Sequence, residues 1–210
     1  MDLSTVGSDA VESALLLYLV PAHGWGVATL RETDRRQDGQ AGVWGASVSG
    51  KTILDATTGG GHMWHDDAKD IERAVYADRR QLEGLDLQPN WECSPGVLCD
   101  TRHLPFQDDT FHLIAYDPPH RVTDGGMKAL SGVIEQKYGA LRAETWQSDL
   151  SQSFEELWRV LKPNGTLTFK WADEHKSHDD VLDALPVSPL YGVTTSQRRA
   201  TTKWWVFNKP

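Results

Sequence analysis

From residue 50 onward the chain alternates short apolar runs with polar connections. Thr52 to Ala56, Ala74 to Ala77, Val97 to Cys99 and Phe111 to Tyr116 are short, mostly apolar runs without regular polar alternation. That is the pattern of strands covered on both faces, as in a parallel sheet. Each run carries or meets an acid at its end: Asp55, Asp78, Asp100 and Asp117, spaced 23, 22 and 17 residues apart. Such regular spacing places carboxylates along one edge of the sheet. Glu144 to Leu161 shows helical periodicity, with Trp146, Leu150, Phe154, Leu157 and Leu161 on one face. Pro163-Asn164-Gly165 stops that helix, and Thr166 to Trp171 reads as a fifth strand. Asp179 to Leu185 reads as a short helix, and residues 190–195 and 202–208 alternate like two paired strands. Strands alternating with helices predict an α/β fold with a mostly parallel sheet.

Residues 8–20 also read as a helix, with the apolar run Ala14 to Val20, ended by Pro21 and Gly24-Trp25-Gly26. Residues 31–42 are polar and read as a surface loop or short linker. An N-terminal lid over residues 1–49, packed on a main domain over residues 50–210, is preferred to a helix–turn–helix over residues 8–34.

Composition narrows the class. The chain has 210 residues, 39% hydrophobic and 24% charged, which is a globular composition of ordinary single-domain size. A net charge of −9 argues against tight non-specific nucleic-acid binding through bulk electrostatics, but leaves room for a local basic rim. Cys93 and Cys99 have no metal-ligand spacing and read as reduced thiols of a cytoplasmic protein. The run Ala14 to Val20 is too short to span a membrane and lacks the basic flank of a signal peptide. Most of the 9 tryptophans are expected in the core.

The candidate chemistry sits at the strand ends, where open α/β sheets bind ligands. Thr57-Thr58-Gly59-Gly60-Gly61 permits a tight turn and close backbone approach. It is not the dinucleotide fingerprint, because Trp64 stands where the third glycine belongs, and it is not a Walker loop. Gly50-Lys51-Thr52 precedes its strand and is a false match. Asp78 is placed to hold ribose hydroxyls. Asp100 is placed to accept from an adenine amine, with the Thr101 N–H beside it. The glycine turn has no companion Lys or Arg, so no phosphate is implied. Ribose and adenine without phosphate point to S-adenosylmethionine.

Asp117-Pro118-Pro119-His120 closes the fourth strand. The Asp117 carboxylate and a proline carbonyl can accept two hydrogen bonds from an amine, and the His120 ring can stack on the group that carries it. His62, His65, Asp66, His175 and His178 show no known metal spacing, and no metal is expected.

These motifs together resemble class I S-adenosylmethionine-dependent methyltransferases. The resemblance rests on Ile53-Leu54-Asp55-Ala56-Thr57-Thr58-Gly59-Gly60-Gly61, Asp78, Asp100-Thr101 with Leu104-Pro105-Phe106, Asp117 to His120, and Phe154 to Leu167. It covers roughly residues 50–208. The chain is most similar to small phage- and virus-type members that carry Met-Trp after the glycines (Met63-Trp64), the DPPH tetrapeptide, Lys137-Tyr138-Gly139 and Phe169-Lys170-Trp171. The resemblance implies a Rossmann-like, seven-stranded sheet with an antiparallel C-terminal strand. It implies S-adenosyl-L-methionine held by Asp55, Thr57, Gly59, Gly60, Gly61, Trp64, Asp78, Asp100, Thr101 and Asp117. Catalysis falls to Asp117, Pro118, Pro119 and His120.

The implied substrate is a nucleic acid, DNA ahead of RNA. The implied acceptor is adenine N6 ahead of cytosine N4, with RNA guanine N2, a small molecule or a protein as the alternatives. A protein that binds or degrades the cofactor without methyl transfer is the reading from another class. The chain departs from the pattern at Thr57-Thr58, where Gly-x-Gly turns carry an early small residue or Cys, and at His120, where amino-methyltransferases carry Tyr, Phe or Trp. Residues 121–145, with Gly125-Gly126, Gly132, Lys128, Lys137 and Arg142, read as a mobile substrate-side loop that orders on binding. Arg198, Arg199 and Lys203 lie in the late hairpin and read either as contacts to a nucleic-acid backbone or as a solvated hairpin tip.

Overall fold

A computed structural model describes residues 48–69, 71–85, 88–192 and 202–210. The expectations for the N-terminal helix and lid, and for Arg198 and Arg199, lie outside the described residues. In chain order the elements are β1 (Ile53–Asp55), β2 (Ala74–Asp78), β3 (Leu82–Leu85), β4 (Gln88–Cys93), β5 (Val97–Leu98), β6 (Phe111–Tyr116) and β7 (Val122–Thr123). They continue with α1 (Gly132–Tyr138), β8 (Leu141–Arg142), α2 (Trp146–Val160), β9 (Leu161–Ala172), α3 (His178–Asp183) and β10 (Thr202–Asn208).

Six strands form the central sheet in the order β10-β9-β6-β1-β2-β5. All pairs are parallel except β9–β10, which is antiparallel with Trp205 opposite Phe169. The first strand is central. The chain winds outward through β2 and β5, then returns to the other side of β1 for β6 and β9. The order reverses between β1 and β6, and a crevice at such a switch point is where doubly wound sheets hold ligands. Six strands of this sheet, against the seven expected, are present among the described residues. The expected pairing of residues 190–195 with the last strand is seen at Tyr191, which bridges Val206 antiparallel; residues 193–201 lie outside the described residues.

The core lies on one face of this sheet. Trp146, Leu150, Phe154, Leu157 and Val160 of α2 are buried, against Ile114, Tyr116, Leu167, Phe169, Trp171, Trp205 and Phe207. Phe154 meets the rings of Tyr116, Phe169 and Phe207 at centroid distances of 5.9, 5.3 and 5.1 Å. Strand alternation puts the neighbouring positions on the opposite face, where Leu113 and Trp204 are exposed.

Three expectations are corrected. The crossovers are not all helical: the described part of β1–β2 holds only a 3-10 turn at Asp66–Ala68, and β2–β5 holds the β3–β4 hairpin, with Leu82 opposite Cys93. The hairpin's period-2 alternation, with Trp91 and Cys93 buried and Glu92 exposed, carried that signal. Second, the fifth strand begins at Leu161 and absorbs Pro163-Asn164-Gly165 as a bulge. The register shifts between Phe111–Leu161 and Leu113–Thr166, and Asn164 takes φ 63°. Third, residues 121–145 are not a single loop. They hold a 3-10 turn at Gly126–Lys128, α1, and a two-stranded parallel ladder of Val122–Thr123 with Leu141–Arg142. Among the described residues no helix is long and apolar enough to cross a membrane.

Candidate functional site

The turn after β1 is held from below. Asp55 is fully buried; it accepts Thr57 N–H at 3.2 Å and the Trp64 indole N–H at 2.6 Å. Burial pushes its carboxyl up to about 6, and the two hydrogen bonds oppose that rise only in part. Trp64 in turn packs edge-on against Tyr76 at 5.3 Å. Gly59 and Gly61 take φ of 50° and 69°, the left-handed conformation glycine tolerates. Above this brace, a cavity of about 430 Å³ opens across the switch point. Thr57, Gly59, Gly60, Asp78, Asp100, Thr101 and Asp117 through His120 all line it. Asp55, Gly61 and Trp64 do not line it; they support the turn from outside the cavity.

Asp78 is buried at the end of β2. Its Oδ2 accepts Gly59 N–H at 3.0 Å and its Oδ1 accepts Arg80 N–H at 3.0 Å. One carboxylate therefore ties two strand ends, and each oxygen keeps a spare lone pair for a hydroxyl donor. Asp100 is differently placed. Its Oδ1 accepts Arg102 N–H and Nε–H, both at 3.0 Å, and its Oδ2 accepts Arg102 Nη2–H at 2.8 Å. Arg79 Nη2 lies 3.5 Å from the same oxygen. Burial opposes ionisation, but these donors overcome it and hold the carboxyl at about 2. The Asp100 side chain thus serves chiefly as an anchor, since Arg102 also reaches Asp149 of α2 at 2.7 Å. The sequence places it to accept from an amine; it lines the cavity, with Arg102 already donating to both of its oxygens.

Thr57 Oγ accepts Asp117 N–H at 2.8 Å, tethering the tetrapeptide to the glycine turn. The Asp117 carboxylate is engaged twice. Oδ1 lies 3.0 Å from His120 Nε2, and Oδ2 accepts from Lys170 Nζ at 2.6 Å. Burial works to raise its pKa, yet His120 and Lys170 together lower it below the usual carboxylate range. The His120 ring meets Trp171 edge-on, with centroids 5.1 Å apart and planes inclined at 71°. Its Nδ1 is buried without a partner.

Lys170, which the sequence reading does not place in the site, lines the cavity and pairs with Asp117. It is a charged residue in a strand whose alternate positions, Leu167, Phe169 and Trp171, are all buried. That contrast was the available signal.

The segment after the tetrapeptide roofs the cavity. Arg80 donates to the carbonyls of Gln136 and Lys137, at 2.8 and 2.7 Å, at the C-terminal end of α1. Lys137 Nζ sits 5.7 Å from the Trp91 ring centroid, and Trp91 meets Tyr138 edge-on at 6.3 Å. The helix ends at Gly139, φ 82°, where a Cβ would lie 2.7 Å from Met127 Sδ and 3.2 Å from Pro119 Cγ. The roof therefore rests directly on the tetrapeptide. Of the basic residues expected here, Lys137 lines the cavity, whereas Lys128 and Arg142 do not; Arg142 pairs with Glu144 at 2.6 Å. Lys203 sits in β10, opposite Trp171. Among the described residues, no group of three or more His, Cys, Asp or Glu side chains is arranged to hold a metal ion.

No protein-family model matches the sequence, and no curated protein is significantly similar to it. Among solved structures, the chain is similar to the [4+2]-cyclase SpnF, with 14% identity, 77% of this chain and 75% of that chain covered, and a TM-score of 0.46. It is also similar to a SAM dependent methyltransferase from Aquifex aeolicus, with 15% identity, 77% and 83% coverage, and a TM-score of 0.41. The antibiotic-resistance methyltransferase Kmr gives 13% identity, 77% and 89% coverage, and a TM-score of 0.41. The doubly wound assignment rests on this chain's own strand order.

Proposed function

We infer that this chain is an S-adenosylmethionine-dependent methyltransferase acting on an exocyclic amine of a nucleobase, adenine N6 ahead of cytosine N4. The observation that carries this reading is the joining of two half-sites at the switch point. The glycine turn with Asp78 faces Asp117-Pro118-Pro119-His120 in one cavity, and Thr57 bonds them together.

The donor set fits the cofactor. Asp78 has spare acceptor capacity for ribose hydroxyls, and Gly59 and Gly60 let the ligand approach the backbone. Thr101 and Cys99 line the far end, where an adenine belongs. Nearby cations are committed elsewhere, Arg79 and Arg102 to Asp100 and Arg80 to α1, so the site favours an uncharged diol over a phosphate. The bound cofactor supplies an electrophilic methyl group on a sulfonium.

An exocyclic base amine is a weak nucleophile, because its lone pair is delocalised into the ring. Asp117 and the Pro118 carbonyl accept its N–H groups, localise the lone pair and aim it at the donor. Prolines at 118 and 119 make that corner stiff. Rigid positioning of this kind supplies much of the rate advantage of bringing two reactants together. A base in duplex DNA must first leave the stack.

The reading is tested by calorimetry with the cofactor and by tritiated-methyl transfer to DNA, tRNA, total RNA and protein. Nucleoside mass spectrometry then identifies the product. Asp117→Ala is expected to lower transfer about 100-fold or more while cofactor affinity changes by less than about three-fold, under ~1 kcal/mol. Asp78→Ala is expected to weaken cofactor binding about ten-fold or more, in line with ~1.5–3 kcal/mol for a hydrogen bond to a charged group. Unchanged affinity in Asp78→Ala would remove the ribose assignment. Transfer that survives Asp117→Ala would remove the acceptor site.

A further inference from the structure

We propose that Lys137 binds the carboxylate of the cofactor's methionyl part, which makes α1 a wall of the cofactor site. The proposal rests on the methyltransferase reading above and deepens it. Lys137 belongs to one of the motifs of the resemblance, Lys137-Tyr138-Gly139, and neither the ribose assignment nor the acceptor corner gives it a task. S-adenosylmethionine brings an anionic carboxylate along with its ribose and adenine. An anion leaving bulk water needs a charged or hydrogen-bonding partner.

The other cationic side chains that line the cavity are already engaged. Arg79 and Arg102 serve Asp100, and Lys170 serves Asp117. Arg121 lies 3.5 Å from Glu135 and 3.8 Å from Glu174. The Arg80 guanidinium donates to two carbonyls at the end of α1. Lys137 lines the same cavity. Among the described residues its ammonium meets no carboxylate, only the Trp91 ring, with the centroid at 5.7 Å. A ring face attracts a cation weakly and leaves its N–H donors unused.

The place of this ammonium suits the amino-acid end of the cofactor. The edge of the Trp91 ring abuts the glycine turn, since a Cβ on Gly60 would meet Trp91 Nε1 at 2.7 Å. Lys137 therefore stands beside the turn that follows β1. Gly60, His62 and Lys137 line both the main cavity and a neighbouring groove of about 570 Å³ along the β3–β4 hairpin, where Glu92 is the acid. The turn thus acquires from α1 the cationic companion that its own stretch of sequence lacks. Two hydrogen bonds hold the lysine in one frame with the ribose-binding acid: Asp78 accepts Arg80 N–H, and the Arg80 guanidinium donates to the Lys137 carbonyl. With the ribose on Asp78 and the methyl group directed to Asp117, the amino-acid part is left the wall at Gly59 and Gly60, where Lys137 stands.

The test is calorimetry on wild type and Lys137→Met, which removes the ammonium and keeps an unbranched stem against Trp91. The ligands are S-adenosylmethionine and its decarboxylated form, which retains the adenine, ribose, sulfonium and amine. Wild type is expected to bind the intact cofactor about ten-fold or more tighter than the decarboxylated one, in line with a hydrogen bond between charged groups. Lys137→Met is expected to lose that preference, its affinity for the intact cofactor falling about ten-fold or more while the decarboxylated form binds as well as before. Equal binding of the two ligands by wild type, unchanged affinity for the intact cofactor in Lys137→Met, or an equal fall for both ligands overturns the proposal and leaves the methyltransferase reading intact. Unchanged affinity with weaker methyl transfer to nucleic acid would instead assign the lysine to a substrate phosphate. A wild type that binds neither ligand overturns both readings.

Discussion

Two carboxylates of this site titrate in opposite directions, and their environments explain why. Asp55 is fully buried with neutral donors only, so burial dominates and raises it to about 6. Asp100 faces two arginines, which overcome its burial and hold it at about 2. A carboxyl whose folded pKa is raised favours folding most below its unfolded value, about 3.9, and loses that advantage as pH rises through 6. A lowered one behaves in reverse. Asp100 therefore contributes stability above about pH 4 and loses it as pH falls towards 2. Asp55→Asn removes the first effect. The melting-temperature difference between wild type and Asp55→Asn is expected to move in favour of wild type as pH is lowered from 7 to 5. A difference that does not change with pH would show that Asp55 is not the strained group.

At the scale of elements, α1 closes one side of the crevice, and the β3–β4 hairpin backs it through Trp91 against Tyr138. The connection is made by Arg80, whose guanidinium bonds two carbonyls at the helix end. Hydrogen bonds to a charged donor contribute ~1.5–3 kcal/mol each. Arg80→Met keeps the aliphatic stem and removes both bonds. Amide exchange in residues 132–138 is expected to accelerate about ten-fold or more, with the exchange of β6 and β9 unchanged. If α1 keeps its protection, its docking comes from Trp91 and Tyr138 and not from the arginine.

At the scale of the molecule, the described residues place nearly all their large buried side chains on the α2 face of the sheet. Phe154 stands at the centre of that face among three other rings. Phe154→Ala is expected to cost ~3–5 kcal/mol in urea unfolding, the range for deleting a buried aromatic. Leu113 faces the opposite side and is 37% exposed. Leu113→Ala is expected to cost well under half as much, since less apolar area leaves water there on folding. Equal costs would mean that both faces are equally covered.

The local pattern alone was enough for much of this fold. Apolar runs marked β1, β2, β5 and β6, and β6 falls on Phe111–Tyr116 as expected. The spacing of Trp146, Leu150, Phe154 and Leu157 marked α2. The acids at the strand ends and the proline corner after β6 placed the cavity, because a parallel sheet must bring those ends to one edge. Where an acid side chain points and what it meets is another matter. Asp117 meets Lys170 from 53 residues away, Arg80 meets α1 from 56 and 57 away, and Asp149 draws Arg102 from 47 away. No pattern of apolar and polar positions encodes which charge finds which across such separations. The sequence by itself determined that carboxylates line the ligand-binding edge. Only the tertiary structure decided that Arg102 occupies Asp100 and that Asp117 is ion-paired with Lys170, because pairing partners are chosen by proximity in the folded chain.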